Sequence, residues 1–173
     1  MNARYPRFVV LTLLAFLHSS AESRTRDERT LSFYHTHTQE SLTVTFVVDG
    51  EFVDSALHEI NGFLADFRTG DTIEMDPEML NFIYDVRESL RNDGVYEVIS
   101  AYRSPATNDK LRERSSGVAR NSQHLLGKAI DVRLRGVDTA ELRDAALALK
   151  RGGVGYYRAS DFVHMDTGRV RRW

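Results

Sequence analysis

The chain contains no cysteine, which excludes disulfides and thiolate ligands, so any metal must be held by imidazole and carboxylate. Proline occurs only three times, and no proline- or serine-rich stretch or internal repeat divides the chain. An excess of one charge is also lacking: the formal net charge is -2, and overall charge gives nucleic-acid binding no support. Long apolar runs are scarce, since the stretch at 8–17 has ten residues where a membrane-spanning helix needs roughly 20. What is present is 42% hydrophobic residues in a chain of 173, enough for one domain with a proper core.

The first segment speaks to compartment. Arg4 and Arg7 precede the apolar stretch, and Ser19, Ser20 and Ala21 are small enough for cleavage after Ala21. This pattern is a secretory signal over 1–21, with an uncleaved anchor as the alternative. Losing Arg4 and Arg7 takes the formal charge from -2 to -4. Residues 22–30 are polar without periodicity and read as a flexible lead-in, leaving 31–173 as the domain.

Within that domain the β-rich runs 31–37 and 42–48 form a hairpin. His35 and His37 share a strand face there and read as exposed hairpin histidines rather than a second metal site. Apolar residues from Val53 to Phe67 recur at helical spacing. A second helix opens with Asp76 as cap and Pro77 at its first position, burying Met79, Phe82, Ile83, Val86 and Leu90. Residues 95–102 read as a strand, Ser104 and Pro105 open a polar helix to about Arg114, and 115–121 read as a loop. Asp138 and Glu141 form a capping-box pattern ahead of a helix on Leu142, Ala145, Ala146 and Leu149. The expected fold is α+β: an antiparallel sheet from the central and last strands, covered by these helices, with the site on its open face.

Candidate chemistry concentrates in residues 122–131. Residues 129–134 alternate, with Ile130, Val132 and Leu134 on one face and Ala129, Asp131 and Arg133 on the other. Asp131 therefore turns away from the core, and Gly127 allows the preceding loop to bend His124 back towards it. Catalytic zinc takes three protein ligands and keeps a fourth position open, and His164, in the alternating run 161–166, is the best third ligand. Arg103, where a strand end meets a helix start, either grips a substrate carboxylate, stabilises an oxyanion, or forms a structural salt bridge. Ser122 either hydrogen-bonds substrate or shapes the turn. Gly152, Gly153 and Gly155 lack the lysine and serine or threonine of a phosphate loop. They read instead as a close backbone approach to the site with Tyr156 or Tyr157 on its rim, Tyr156 being the expected substrate contact. The basic cluster 169–173 either touches an anionic polymer or is a solvated, charge-paired end.

Ser122, His124, Gly127, Ala129 and Asp131 match the SxHxxGxAxD motif, and the chain resembles the bacterial zinc D-Ala-D-Ala metallopeptidases, whose fold is shared with the hedgehog signalling domain. The phrases at 100–105, 152–156 and 163–168 are similar to the murein endopeptidase K-like subgroup. The resemblance covers about 31–173. It implies one Zn2+ on His124, Asp131 and His164, an arginine at the active site in the place of Arg103, and hydrolysis of amide bonds in peptidoglycan stem peptides. It further implies a periplasmic protein without stable membrane insertion after signal cleavage, taken as a monomer. The alternatives are an inactive zinc-binding module and a soluble D-Ala-D-Ala dipeptidase. Many relatives place a glutamate three residues before the last histidine, where this chain has Asp161. Alternation sends Asp161 to the face opposite His164 and keeps Asp166 with it. Asp166 is therefore preferred as general base, with a role as a partner that steadies a metal ligand as its alternative.

Overall fold

The computed structural model describes residues 27–114 and 117–173. The expected signal at 1–21 lies outside the described residues. The last two lead-in residues, Arg29 and Thr30, already belong to the first strand, so the ordered domain starts slightly earlier than expected.

In chain order the strands are β1 (Arg29–His35), β2 (Ser41–Val48), β3 (Glu51–Phe52), β4 (Tyr96–Ser100), β5 (Ala129–Leu134), β6 (Gly153–Tyr157), β7 (Phe162–Asp166) and β8 (Arg171–Arg172). The helices are α1 (Asp54–Phe63), α2 (Pro77–Ser89), α3 (Pro105–Arg114) and α4 (Thr139–Leu149). All the strands join one sheet in the order β3-β2-β1-β4-β5-β7-β6-β8. The block β4-β5-β7-β6 is antiparallel, as expected. The sheet as a whole is mixed, because β1 runs parallel to β4 and β6 runs parallel to β8. The first of these pairs is possible because α1 and α2 lie between the strands and carry the chain back across the sheet.

Period-2 alternation builds the core on one sheet face. Ile130, Val132 and Leu134 of β5 and Val163 and Met165 of β7 are all buried there, against Met79, Phe82, Ile83 and Val86 of α2 and Leu142 and Ala146 of α4. Tyr96 is fully buried and donates its hydroxyl to the Ile83 carbonyl at 2.7 Å, which satisfies its polar end. Replacing a core ring such as Phe82 with alanine costs about 3–5 kcal/mol through lost transfer energy and the cavity left behind.

The helix starts follow the sequence signals. Asp76 accepts from the Glu78 N–H at 3.0 Å with Pro77 behind it, and Asp138 accepts from the Ala140 N–H at 2.7 Å. α1 is shorter than the expected 53–67, ending at Phe63. Asp66 turns its side chain out of helical continuation to accept from the Arg68 N–H at 3.1 Å and from Ser104. His35 departs from the exposed position expected of it. It is buried against Phe63 and Phe67, and its Nδ1 accepts the His37 N–H at 3.2 Å, so it is part of the packing.

Candidate active site

The sheet face opposite the core carries the site. In the β5–β7 ladder Asp131 pairs directly with His164, and in the β6–β7 ladder Gly155 pairs with His164, so the register sets these residues side by side on one face. His124 arrives from outside the sheet on a single 3-10 turn, Gln123–Leu126. Ser122 caps that turn by accepting the His124 N–H at 3.3 Å, and Gly127 closes it in the left-handed region at φ 66°. A Cβ on Gly127 would also lie 2.7 Å from the Glu74 carbonyl oxygen, so close backbone approach demands glycine as well as the turn does.

Three side-chain atoms converge. His164 Nδ1 lies 2.8 Å from Asp131 Oδ1 and 3.1 Å from His124 Nε2, and His124 Nε2 lies 3.3 Å from Asp131 Oδ1. The remaining ring nitrogens are committed elsewhere: His124 Nδ1 donates to the Ala101 carbonyl at 2.6 Å, and His164 Nε2 donates to Asp166 Oδ2 at 2.9 Å. These tautomers aim two imidazole lone pairs and a carboxylate oxygen at one spot, an arrangement that repels itself unless a cation sits between them. The donor set therefore fits a metal ion, and it is the metal-ligating group found among the described residues.

The titration behaviour has the same origin. Burial opposes charge on His164, but hydrogen bonds to Asp131 and Asp166 outweigh it and push its pKa up to about 9, so a proton and a metal ion compete for Nδ1. Burial alone would raise Asp131, yet His124 and His164 hold it well below the carboxylate range. Burial lowers His124 despite Asp131 beside it, keeping its Nε2 an acceptor.

Around this point opens a cleft of about 390 Å³ whose lining includes Arg103, Asn121, Ser122, Tyr157, Phe162 and Trp173. Arg103 is nearly buried, its terminal nitrogen is 3.7 Å from Asp131 Oδ2, and its Nε has no partner among the described residues. It is aimed by its turn. The Arg103 N–H donates to the His124 carbonyl at 3.2 Å, and the next residue, Ser104, donates through both N–H and hydroxyl to Asp66 Oδ2 at 2.9 and 2.7 Å.

Of the residues expected from sequence, His124, Asp131, His164, Arg103 and Ser122 come together in the cleft. Three do not. Tyr156 pairs with Val163 and shares its core-side face, lining a neighbouring groove; alternation gives the cleft Tyr157 instead. Asp161 sits before β7 at φ 51°, with a side chain 63% exposed that accepts from Thr139 Oγ1 at 2.8 Å, outside the cleft. Asp166 is on the His164 face as expected but wholly buried behind that ring. Both its oxygens are engaged, by His164, Arg171 and the Gly153 and Gly168 N–H groups, so it does not reach the cleft. Sequence reasoning placed Tyr157 on the rim only as the alternative to Tyr156, and it missed Asp66, Arg171 and Trp173 as parts of the site. Counting two residues forward from Gly155, the partner of His164, selects Tyr157 over Tyr156, whereas the others depend on contacts distant in sequence.

Gly153 and Gly155 lie in strand β6 and Gly152 just before it, and the backbone passes close to its neighbours as expected: a Cβ on Gly153 would lie 2.5 Å from Asp166 Oδ2. A Cβ on Gly155 would stand 2.6 Å from the Trp173 ring. The basic end is charge-paired at Arg171, which grips Asp166 with two nitrogens at 2.9 and 2.7 Å, while Arg169 and Arg172 are exposed.

A buried two-histidine, one-carboxylate cluster beside a cleft on the open face of an α+β sheet fits the class of metal-dependent hydrolases. The chain belongs to the family described as peptidoglycan L,D-endopeptidase MepK, which it matches over residues 23–173. It is 38% identical over 145 residues to peptidoglycan L,D-endopeptidase MepK of Escherichia coli (strain K12), covering 84% of this chain and 80% of that protein. It is 41% identical over 147 residues to the probable peptidoglycan L,D-endopeptidase MepK of Haemophilus influenzae, covering 84% and 78%. No solved structure matches significantly. The chain is thus a peptidase of the metal-dependent type.

Proposed function

We propose that this chain is a zinc-dependent endopeptidase of the bacterial periplasm that hydrolyses amide bonds in the stem peptides of cross-linked peptidoglycan, acting as a monomer. The observation that carries the reading is the convergence of His124 Nε2, Asp131 Oδ1 and His164 Nδ1 on one point beside an open cleft. Three nitrogen and oxygen ligands with room for a fourth suit zinc. When bound, the metal polarises the scissile carbonyl and makes water a nucleophile near neutral pH.

The chain's own residues bind and orient. Arg103, in the cleft lining, offers its guanidinium to a substrate carboxylate or to the negative charge that develops on the attacked carbonyl. Tyr157 accepts from Trp173 Nε1 at 3.0 Å and retains its own hydroxyl hydrogen for the cleft. Asp166 acts through His164: accepting from Nε2, it fixes the tautomer that leaves Nδ1 free for the metal. Ser122 works by capping the turn that carries His124. The L,D bond named for the relatives is the bond expected here, and the periplasm follows from that substrate together with the signal pattern at 1–21.

The test is digestion of purified sacculi by zinc-loaded protein with mass spectrometry of the products. Separated stem peptides cut at an L,D bond are expected; release of free terminal D-alanine alone, or intact sacculi, would overturn the reading.

A further inference from the structure

Among the described residues lining the cleft the one carboxylate is Asp131, which belongs to the ligand cluster, while Asp161 lies outside and Asp166 is buried behind His164. Hydroxyl groups in the lining come from Ser122 and Tyr157, and a phenol is the stronger donor of the two. Tyr157 is held for donation. Trp173 Nε1, which can only donate, gives its hydrogen to the Tyr157 oxygen at 3.0 Å, so the phenol hydrogen is left for another acceptor, and none among the described residues takes it. Its position follows from the ladder. Tyr157 pairs with Phe162 two residues along the strand, about 7 Å, from the row in which Gly155 pairs with His164. Trp173 bridges those rows. Its N–H donates to the Val154 carbonyl at 3.3 Å and its carbonyl accepts from the Tyr156 N–H at 3.1 Å, which pins its backbone to β6. The indole stands over Gly155, with Nε1 2.7 Å from where a Cβ would be and the ring centroid 5.2 Å from that of His164. The bond from Nε1 therefore tilts the phenol out of its own row towards the row of the ligands, while stacking on Phe162 at 4.6 Å holds the ring. Arg103, 3.7 Å from Asp131, lies within electrostatic reach of the same hydroxyl.

We propose that Tyr157 is a catalytic residue of the peptidase, donating its hydroxyl hydrogen to the negative charge that develops on the attacked carbonyl, and that Trp173 is the positioning residue that acts through it. The proposal rests on the peptidase reading above and assigns the free phenol hydrogen its acceptor. A donor aimed in advance at the developing charge has no reorganisation to undergo when that charge appears, and removing one such donor costs about 100- to 1,000-fold in kcat. Accepting the indole N–H polarises the phenol and strengthens the bond it donates. Loss of that N–H leaves the phenol stacked on Phe162 but free to turn, which should cost about tenfold.

The experiment compares the zinc-loaded wild type, Tyr157→Phe, Trp173→Phe and the double variant on L,D-cross-linked stem-peptide dimers isolated from sacculi. Tyr157→Phe removes one oxygen and keeps the stack on Phe162, so kcat should fall about 100- to 1,000-fold with KM within about threefold and zinc content unchanged. Trp173→Phe should lose about tenfold in kcat, and the double variant should be no slower than Tyr157→Phe alone, because the indole acts only through the hydroxyl. A purely structural role for Trp173 would instead add its loss to that of Tyr157→Phe. Binding gives a reading without turnover: a phosphinate analogue of the scissile bond, whose tetrahedral oxygens carry the charge of the transition state, should bind Tyr157→Phe about tenfold more weakly than wild type by calorimetry, while the cleavage product binds both alike. Hydrolysis by Tyr157→Phe within about threefold of wild type, a loss confined to KM, equal phosphinate affinities, or additive losses in the double variant would overturn the proposal. If Trp173→Phe does not fold, 3-benzothienylalanine, with sulfur in place of the indole N–H, decides, and the chain's single tryptophan confines that replacement to residue 173. A wild type that leaves the dimers intact fails the peptidase reading and this proposal with it, whereas an active wild type matched by Tyr157→Phe fails this proposal alone.

Discussion

Asp166→Asn separates the two roles that a carboxylate beside His164 can play. In the wild type, Oδ2 accepts from His164 Nε2 at 2.9 Å and from Arg171 at 2.7 Å, while Oδ1 accepts from Gly168 N–H at 2.8 Å, Arg171 at 2.9 Å and Gly153 N–H at 3.3 Å. Every group around the carboxylate is a donor. Asparagine keeps the shape but has one oxygen and one NH2, so whichever way it turns, an NH2 faces donors along one edge. Where the NH2 faces His164, the imidazole is driven to carry its hydrogen on Nδ1, the nitrogen that points at Asp131 and His124. Loss of such a partner to a metal-bound histidine costs about 10–100-fold in metal affinity. Breaking a buried charge pair costs about 3–5 kcal/mol, and because the Arg171 side chain is 28% exposed and can rehydrate, the stability loss should fall nearer about 1–3 kcal/mol. The assay is a zinc competition titration against a chromogenic chelator, paired with hydrolysis at saturating zinc. Weakened zinc binding, with activity restored to within severalfold by excess zinc, is expected. Unchanged zinc affinity with hydrolysis abolished would refute the positioning role and return Asp166 to the part of general base.

Replacing His124, Asp131 or His164 singly with alanine should remove most of about one bound zinc, measured by atomic emission, and full occupancy in His164→Ala would contradict the ligand set. Asp66→Ala frees Ser104 and loosens the turn that aims Arg103, so kcat/KM should fall about tenfold with zinc content intact, alongside a loss of about 1–2 kcal/mol from the capping bonds. Parallel behaviour of Asp66→Ala and wild type in hydrolysis would remove Asp66 from the site. Amino-terminal sequencing of the exported protein should begin near Glu22, and intact Met1 on cytoplasmic protein would disprove the signal reading.

Local signals were enough for much of this protein. Strand alternation put Asp131 opposite the core, and likewise His164, because a period of 2 is set by the backbone and needs no knowledge of the partner strand. The caps at Asp76 and Asp138 and the turn at Gly127 were legible for the same reason: each satisfies backbone groups within a few residues. Tertiary structure decided what depended on register and long-range closure. The direct pairing of Asp131 with His164, the burial of Asp166 behind that ring, and the grip of Arg171 on it follow from how β5, β7, β6 and β8 align. Asp66 gained its place by meeting Ser104 across 38 residues. Trp173 became a wall of the cleft because β8 joins β6 at the sheet edge and Gly155 leaves space for an indole. Nothing in the local pattern of a short basic end specifies that partner, since the energy of the contact comes from a surface assembled only when the sheet closes.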